Sequence, residues 1–126
     1  MAIRRITIDR AQARPATSRI FLGDVVSQDL VPEGLAELLR VTAVTFLQGA
    51  RNKRHTHTTD QVLVATSGEG FVASDNDRLE LRPGDVAFIP ANTPHWHGAA
   101  PNQDFTHLSI LTPGHMDILE ETGTDD

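Results

Sequence analysis

Two histidines separated by one residue lie near the middle of the sequence. His55 and His57 stand on a strand-like segment, and Gln61 follows four residues after the second of them. On an extended strand, side chains two positions apart lie on one face, so these three side chains would converge if the segment stays extended. Imidazole nitrogens and an amide oxygen are neutral ligands that suit a divalent metal. The alternative is a histidine pair on a strand that faces solvent.

Three more histidines occupy two further alternating segments. His95 and His97 form a second pair with the same spacing, and His107 lies in the segment Phe105–Ile110. Only His115 falls in the C-terminal tail. One such pair is weak evidence, but a single interior can collect two pairs and a third strand histidine. We therefore expect all three segments to contribute to one pocket.

Length and composition limit the possible functions. The chain has 126 residues, enough for one domain with a single core. Its net charge of −6, without a basic stripe, argues against nucleic-acid binding. There is no cysteine, so nitrogen and oxygen must hold any metal. No apolar run approaches the roughly 18 residues of a membrane span, and the N-terminus lacks an apolar signal segment, so we expect a soluble cytoplasmic protein without membrane contact.

Short strands punctuated by Gly, Pro and Asn predict an all-β domain, either an antiparallel sandwich or a barrel. Asn76 marks a tight hairpin, and further turns are expected at 83–85 and 90–92. The single domain spans 1–126, with a barrel core at about 35–112 and a tail at 113–126. The strands are expected at 40–48, 53–58, 61–67, 69–75, 78–82, 86–89, 94–98 and 104–111.

The segments outside this core are less regular. Residues 3–8 predict a short strand, and residues 18–31 predict one or two irregular strands. The composition of residues 35–39 favours helix. A helical turn is expected at 116–121, followed by a disordered acidic end.

Residues beside the expected site have simpler interpretations. Arg51, Lys53 and Arg54 precede His55, and we expect them in a solvated loop rather than in an anion site. Trp96 has the opposite parity to its two histidine neighbours, so it should face away from the pocket. His115 should be exposed.

The first histidine pair resembles the first motif of the cupin family, Gly-x5-His-x-His-x(3,4)-Glu-x6-Gly. The chain carries this pattern at Gly49, His55, His57, Gln61 and Gly68, with glutamine in place of glutamate. All spacings fit the motif.

The second pair resembles the second cupin motif, Gly-x5-Pro-x-Gly-x2-His-x3-Asn. The chain carries it at Gly84, Pro90, Asn92, His95 and Ala99. Asn92 stands where the motif has glycine, and either residue tolerates a left-handed turn. Ala99 replaces the final asparagine, which is not a metal ligand in the family.

The resemblance implies a cupin (jelly-roll) β-barrel with one divalent metal in its mouth. The family's ligand positions fall on His55, His57, Gln61 and His95. Gln61 has a second possible role, as a hydrogen-bond partner of a ligand histidine. An amide in place of a carboxylate removes one negative charge and leaves the metal more electrophilic. Manganese, iron, cobalt, nickel and zinc all suit these ligands.

A narrower likeness covers the segments 95–99 and 105–108, which resemble small bacterial cupins related to manganese-dependent hydroxynitrile lyases. It implies lyase chemistry on a small oxygenated substrate, in which His97 or His107 moves a proton. The alternative for His97 and His107 is a structural role, as hydrogen-bonded histidines in the core or at the rim. A dioxygenase, a sugar or uronate isomerase and a non-enzymatic ligand-binding module stay open as alternatives, so enzymatic activity is a hypothesis here.

The pattern of residues 61–64 also predicts a homodimer. If Gln61 points inward, Val62 and Val64 point outward by alternation. Apolar side chains on an outer face need a cover, either the N-terminal segment or a second subunit. The cupin resemblance implies pairing through sheet contacts or strand exchange.

Overall fold

The computed structural model describes residues 2–120, and two antiparallel sheets enclose its interior. The six-stranded sheet contains, in spatial order, β1 (Arg14–Pro15), β3 (Val25–Val31), β4 (Arg40–Phe46), β12 (Phe105–Leu111), β7 (Gln61–Gly68) and β10 (Val86–Ile89). The second sheet contains, in spatial order, β13 (Met116–Ile118), β6 (His55–His57), β11 (His95–Ala99), β5 (Arg51–Asn52) and β2 (Phe21–Leu22). Beside that row, β8 (Gly70–Ser74) pairs with β11, and β9 (Arg78–Leu81) pairs with β8.

This architecture confirms the expected all-β, single-domain fold. One short 3₁₀ helix, Arg10–Gln12, is the sole helix in the part of the chain that the structure describes. Within residues 2–120, no helix has the length and apolar character that crossing a membrane requires. The expected strands are present with small shifts at their ends, except that 53–58 contains only β6, while β5 precedes it.

The expected turns are also present. The hairpin at Asn76 joins β8 to β9, and Ser74 N donates to Asp77 O at 2.8 Å. Asn92 has a φ of 65°, the left-handed conformation in which the cupin motif places glycine. This turn leads directly into the strand that begins at His95.

Three expectations outside the core were wrong. Residues 3–8 form no strand, because β1 occupies the edge of β3. Residues 35–39 form no helix. Leu38 is 68% exposed, which shows that no neighbouring element covers the apolar side chains that a helix here would have to bury. Residues 116–118 form β13 rather than a helical turn, because β6 offers them a strand partner that overrides local propensity. Glu121 and the acidic end lie outside the described residues.

The core combines apolar side chains with buried histidines. Phe46, Leu63 and Phe105, from β4, β7 and β12, are fully buried. His55 and His107 are buried to the same degree. Burying imidazoles at the centre of a small barrel costs solvation free energy, so each needs a partner. Those partners define the candidate site.

Candidate metal centre

The two sheets bring the expected ligand residues together at one end of the interior. His55 and His57 form the two ends of β6, Gln61 begins β7, and His95 begins β11. His55 and His95 are paired across β6 and β11, with ring centroids 4.3 Å apart. The His57 ring lies 4.9 Å from that of His55 and 5.8 Å from that of His95. Strand pairing therefore brings the histidines of the two sequence motifs together.

Backbone carbonyls fix the tautomers of two of these histidines. His55 Nδ1 lies 2.6 Å from Lys53 O, and His95 Nδ1 lies 2.8 Å from Thr93 O. A carbonyl only accepts, so Nδ1 carries the proton in both rings. Each Nε2 is thereby left with a free lone pair, the form in which imidazole binds a metal.

Gln61 is oriented by a neighbouring serine. Its Nε2 donates to Ser109 Oγ at 2.9 Å, which turns Oε1 toward His95. Oε1 and His95 Nε2 lie 3.3 Å apart. Both atoms are acceptors, and a cation between them would satisfy both. This donor set therefore fits a divalent metal.

Burial keeps the histidines neutral. Desolvation, followed by the neighbouring His95, lowers the pKa of His55 to about 3. The same two causes lower the pKa of His57 to about 4, and desolvation also lowers the pKa of His95. A ligand histidine must be unprotonated, so these rings are ready for a metal at neutral pH.

The two histidines expected to move a proton, His97 and His107, lie deeper in the barrel. His107 Nε2 and His97 Nδ1 are 3.0 Å apart, and His97 Nε2 lies 3.1 Å from Asn52 Nδ2. Burial lowers the pKa of His97 well below its ordinary value and that of His107 to about 4. Both rings are therefore neutral near pH 7. They form a hydrogen-bonded pair rather than two separate side chains.

The structure offers a metal a second grouping of nitrogens. His55, His95 and His97 each place one ring nitrogen within 4.8 Å of the others, a cluster that could hold an ion. It shares two residues with the set expected from the cupin motifs. The sets differ in whether His97, or His57 with Gln61, completes the centre.

A cavity of about 270 Å³ opens onto the histidines. His57, Gln61, His97 and His107 are among its polar lining residues. Its other walls are mostly apolar, contributed by Ile20, Phe21, Val44, Phe46, Leu111 and Met116. Its volume lies just below the range typical of drug-sized ligands, so the cavity suits a small molecule.

A second concavity, of about 370 Å³, is lined mainly by residues of β8, of β10 and of the hairpin at Asn76. Its lining includes Leu79, Phe88, Asp77 and one side of His95. None of the other histidines borders it. The chemistry-bearing side chains therefore point to the smaller cavity as the candidate site.

The basic residues before His55 do not form a solvated loop, so that expectation was wrong. Arg51 pairs with Glu120 at 3.0 Å, and Arg54 pairs with Asp75 at 2.7 Å. Lys53 is only 8% exposed. The reason is tertiary: Arg51 lies in β5, and in the short connection to β6 Lys53 is buried while Arg54 is held by its ion pair with Asp75.

Two other expectations hold. Trp96 is partly exposed between two buried histidines, as alternation predicts. His115 is exposed, with its backbone N–H donating to Thr58 Oγ1 at 2.9 Å. The smaller cavity is lined by four of the six histidines, and the three expected segments all contribute to it through His55, His57, His97 and His107. His95 adjoins the His55 ring and borders the second concavity.

Sequence reasoning missed two polar residues of the site. Ser109 lies two residues after His107 on β12, so alternation along that strand could have found it. Asn52 lies on β5, which a turn separates from β6. No periodic signal connects it with the histidines, and only strand pairing brings it to His97.

Comparison with known proteins identifies the family. The Cupin domain family matches residues 42–111. The chain is 36% identical to an (R)-mandelonitrile lyase from Granulicella tundricola over 111 residues, which are 87% of this chain and 83% of the relative. It is 34% identical to an acireductone dioxygenase from Gluconobacter oxydans over 100 residues, covering 73% of this chain and about half (53%) of that enzyme.

A solved structure supports the same assignment. A cupin-like protein from Thermotoga maritima superposes with a TM-score of 0.81 at 35% identity, covering 86% of each chain. The family match covers more than half of the chain, and the fold superposes on that of the cupin-like protein. The chain therefore belongs to the cupin family.

Proposed function

We propose that this cupin is a metal-dependent lyase that cleaves a small α-hydroxynitrile. The observation that carries the proposal is the small apolar cavity, which ends on neutral donor atoms beside a buried histidine pair. The similarity to a mandelonitrile lyase over 83% of that relative supports the same reaction class. The fold alone would not support a particular reaction, because cupin-like barrels host many reactions.

We assign the metal to His55, His57, Gln61 and His95. When bound, a divalent cation supplies Lewis acidity that lowers the pKa of a coordinated hydroxyl. All four ligands are neutral, so none of them offsets the charge of the cation. Manganese is our first choice, and iron, cobalt, nickel and zinc suit the same donors.

The remaining residues bind the substrate and move its proton. Val44, Phe46 and Leu111 hold the organic group and exclude water. A histidine of the pair formed by His97 and His107 takes the hydroxyl proton as the bond to the nitrile carbon breaks, at a ring nitrogen that exchanges its hydrogen bond to Asn52 or to its partner ring for one to the substrate hydroxyl. The electron pair of that bond leaves with cyanide, which then receives the proton, so the products are an aldehyde and hydrogen cyanide.

The experiment is a mandelonitrile cleavage assay on manganese-loaded protein, followed as benzaldehyde release. Replacing the residue that moves the proton should lower the rate by about 10²–10⁴. His97→Gln and His107→Gln test this, with metal content measured in parallel, and exposed His115→Gln is the matched control. No rate above buffer with manganese, iron or cobalt would reject the lyase proposal.

Similarity to acireductone dioxygenase makes a metal-dependent dioxygenase the second candidate. A six-coordinate metal with four protein ligands keeps two positions open, which oxygen chemistry uses. Oxygen uptake by iron-loaded protein with an acireductone would favour this reading. Ligand binding without turnover in either assay would favour a non-enzymatic module, and the apolar cavity walls make a sugar isomerase the weakest candidate.

A further inference from the structure

Asn52 makes two hydrogen bonds to the same histidine. His97 N donates to Asn52 Oδ1 at 2.8 Å, and Asn52 Nδ2 lies 3.1 Å from His97 Nε2. A backbone N–H can only donate, so it fixes the amide oxygen on its side. The amide NH₂ must therefore face the ring, and His97 Nε2 must accept.

This contact fixes which atom donates and which accepts in the hydrogen bonds that link Asn52, His97 and His107. With Nε2 of neutral His97 unprotonated, Nδ1 carries the proton and donates to His107 Nε2 at 3.0 Å. In neutral His107, the proton then sits on Nδ1. That atom has no hydrogen-bond partner among the described residues. Asn52 therefore donates to His97, and His97 donates to His107. Each ring carries one proton on a nitrogen.

We propose that Asn52 is a positioning residue that holds His97 in the Nδ1–H tautomer and thereby sets the tautomer of His107. Neutral histidine in water does not have its tautomer fixed this way, and the hydrogen bonds of His97 are to Asn52 and His107 rather than to a backbone carbonyl like those that fix His55 and His95. The assignment does not rest on the proposed reaction.

Close strand packing makes the contact possible. Gly98 follows His97 on β11 and pairs with Arg51 of β5. A Cβ at Gly98 would lie 2.5 Å from Ala50 O and from Arg51 Cα, so only glycine lets β5 approach this closely. The approach brings Asn52, which is 3% exposed, against the His97 ring.

The two hydrogen bonds of the His97 ring decide whether it can bind a metal ion. Both nitrogens of His97 are engaged, one as an acceptor from Asn52 and one as a donor to His107. His97 therefore has no free lone pair for an ion, although its ring lies near those of His55 and His95. His97 serves the site from beside the metal.

The test is long-range proton–nitrogen NMR on protein labelled with ¹⁵N-histidine, at neutral pH, both with chelator and loaded with diamagnetic zinc. The His97 signals are identified by their loss in His97→Gln. We expect a protonated Nδ1 and an unprotonated Nε2 in both samples. A protonated Nε2 in the native chain would overturn the proposal, whatever the outcome of the activity assays.

Asn52→Asp is the decisive variant, because it replaces the NH₂ donor by an acceptor of the same shape. His97 Nε2 should gain a proton, and its unprotonated signal should be lost. Asn102→Asp, the same change at an exposed site, should leave the His97 signals unchanged. An unchanged His97 pattern in folded Asn52→Asp would overturn the proposal.

A second variant covers the case in which Asn52→Asp does not fold. His107→Phe removes the acceptor of the His97 Nδ1 proton but leaves Asn52 in place. We expect His97 to keep an unprotonated Nε2 in this variant. A switch to protonated Nε2 would show that His107, and not Asn52, sets the tautomer, which would reject the assignment.

Discussion

His95 Nε2 and Gln61 Oε1 face each other at 3.3 Å with no hydrogen atom between them. The His95 proton is on Nδ1, and the amide NH₂ of Gln61 is on Ser109. Turned over, the same amide would place an NH₂ donor against His95 and form an ordinary hydrogen bond. A cation between the two acceptors would make the orientation seen here favourable. The orientation of this one amide is therefore the feature on which a metal-binding role for Gln61 depends.

Metal content should separate the two possible ligand sets. We expect one divalent ion per chain, lost in His57→Gln and retained in His97→Gln, because both His97 nitrogens are engaged in hydrogen bonds. Elemental analysis after dialysis against manganese measures this. Loss of metal in His97→Gln with full occupancy in His57→Gln would instead identify His55, His95 and His97 as the centre.

Gln61→Glu should keep the metal and lower the lyase rate. The carboxylate adds a negative charge beside the ion, which weakens its Lewis acidity. It also removes the NH₂ that donates to Ser109 Oγ. The measurement is the mandelonitrile rate at matched manganese occupancy. A rate equal to or above that of the unchanged chain would show that the neutral amide has no role in the chemistry.

The metal-free protein should lose stability as the pH falls from about 6.5 toward 4. His107 has a folded pKa of about 4, below its unfolded value of 6.5. Between these values the unfolded state binds more protons, so unfolding becomes easier as pH falls. Each such histidine contributes a slope of about 1.4 kcal/mol per pH unit.

Chemical denaturation in chelator at several pH values measures this slope. His107→Gln should reduce it by about one proton, which corresponds to about 1.4 kcal/mol per pH unit. The exposed His115→Gln should not change it. Equal slopes in the His107 variant and the unchanged chain would mean that His107 is not held neutral by burial.

A homodimer through the outer face of the six-stranded sheet remains our prediction. Val86 and Phe88 of β10 are 63% and 62% exposed, and they pair across the sheet with Val64 and Val62. The N-terminal segment instead lies near β3, where Gln28 holds it through Asp9 N at 2.9 Å. The apolar stripe on β10 and β7 therefore lacks a cover within the described chain, and a second subunit would supply it.

Light scattering at micromolar concentration should give about twice the chain mass of 13.8 kDa. Phe88→Glu should shift the protein to monomer by placing a charge in the apolar contact. Leu38→Glu is the matched control, since Leu38 is similarly exposed but lies in the loop between β3 and β4 rather than on β10 or β7. A monomer at that concentration in the unchanged chain would contradict the prediction.

The sequence by itself determined the class of fold and the residue types of the site. Alternation in β6 and β11 places each histidine pair on one face, because the strand period of two is a local property. The same rule assigned the outward face of Val62 and Val64. Turn chemistry located the hairpin at Asn76 and the left-handed residue Asn92, since both depend only on a few neighbouring residues.

Only the tertiary structure decided which atoms each histidine can offer. The tautomers of His55 and His95 depend on nearby carbonyls, and that of His97 depends on Asn52, which is brought close by the pairing of β5 with β11. Long-range pairing also made residues 116–118 a strand, against their local preference for helix. Hydrogen-bond partners 45 residues apart leave no periodic trace in a sequence, so this chemistry emerges only when the sheets assemble.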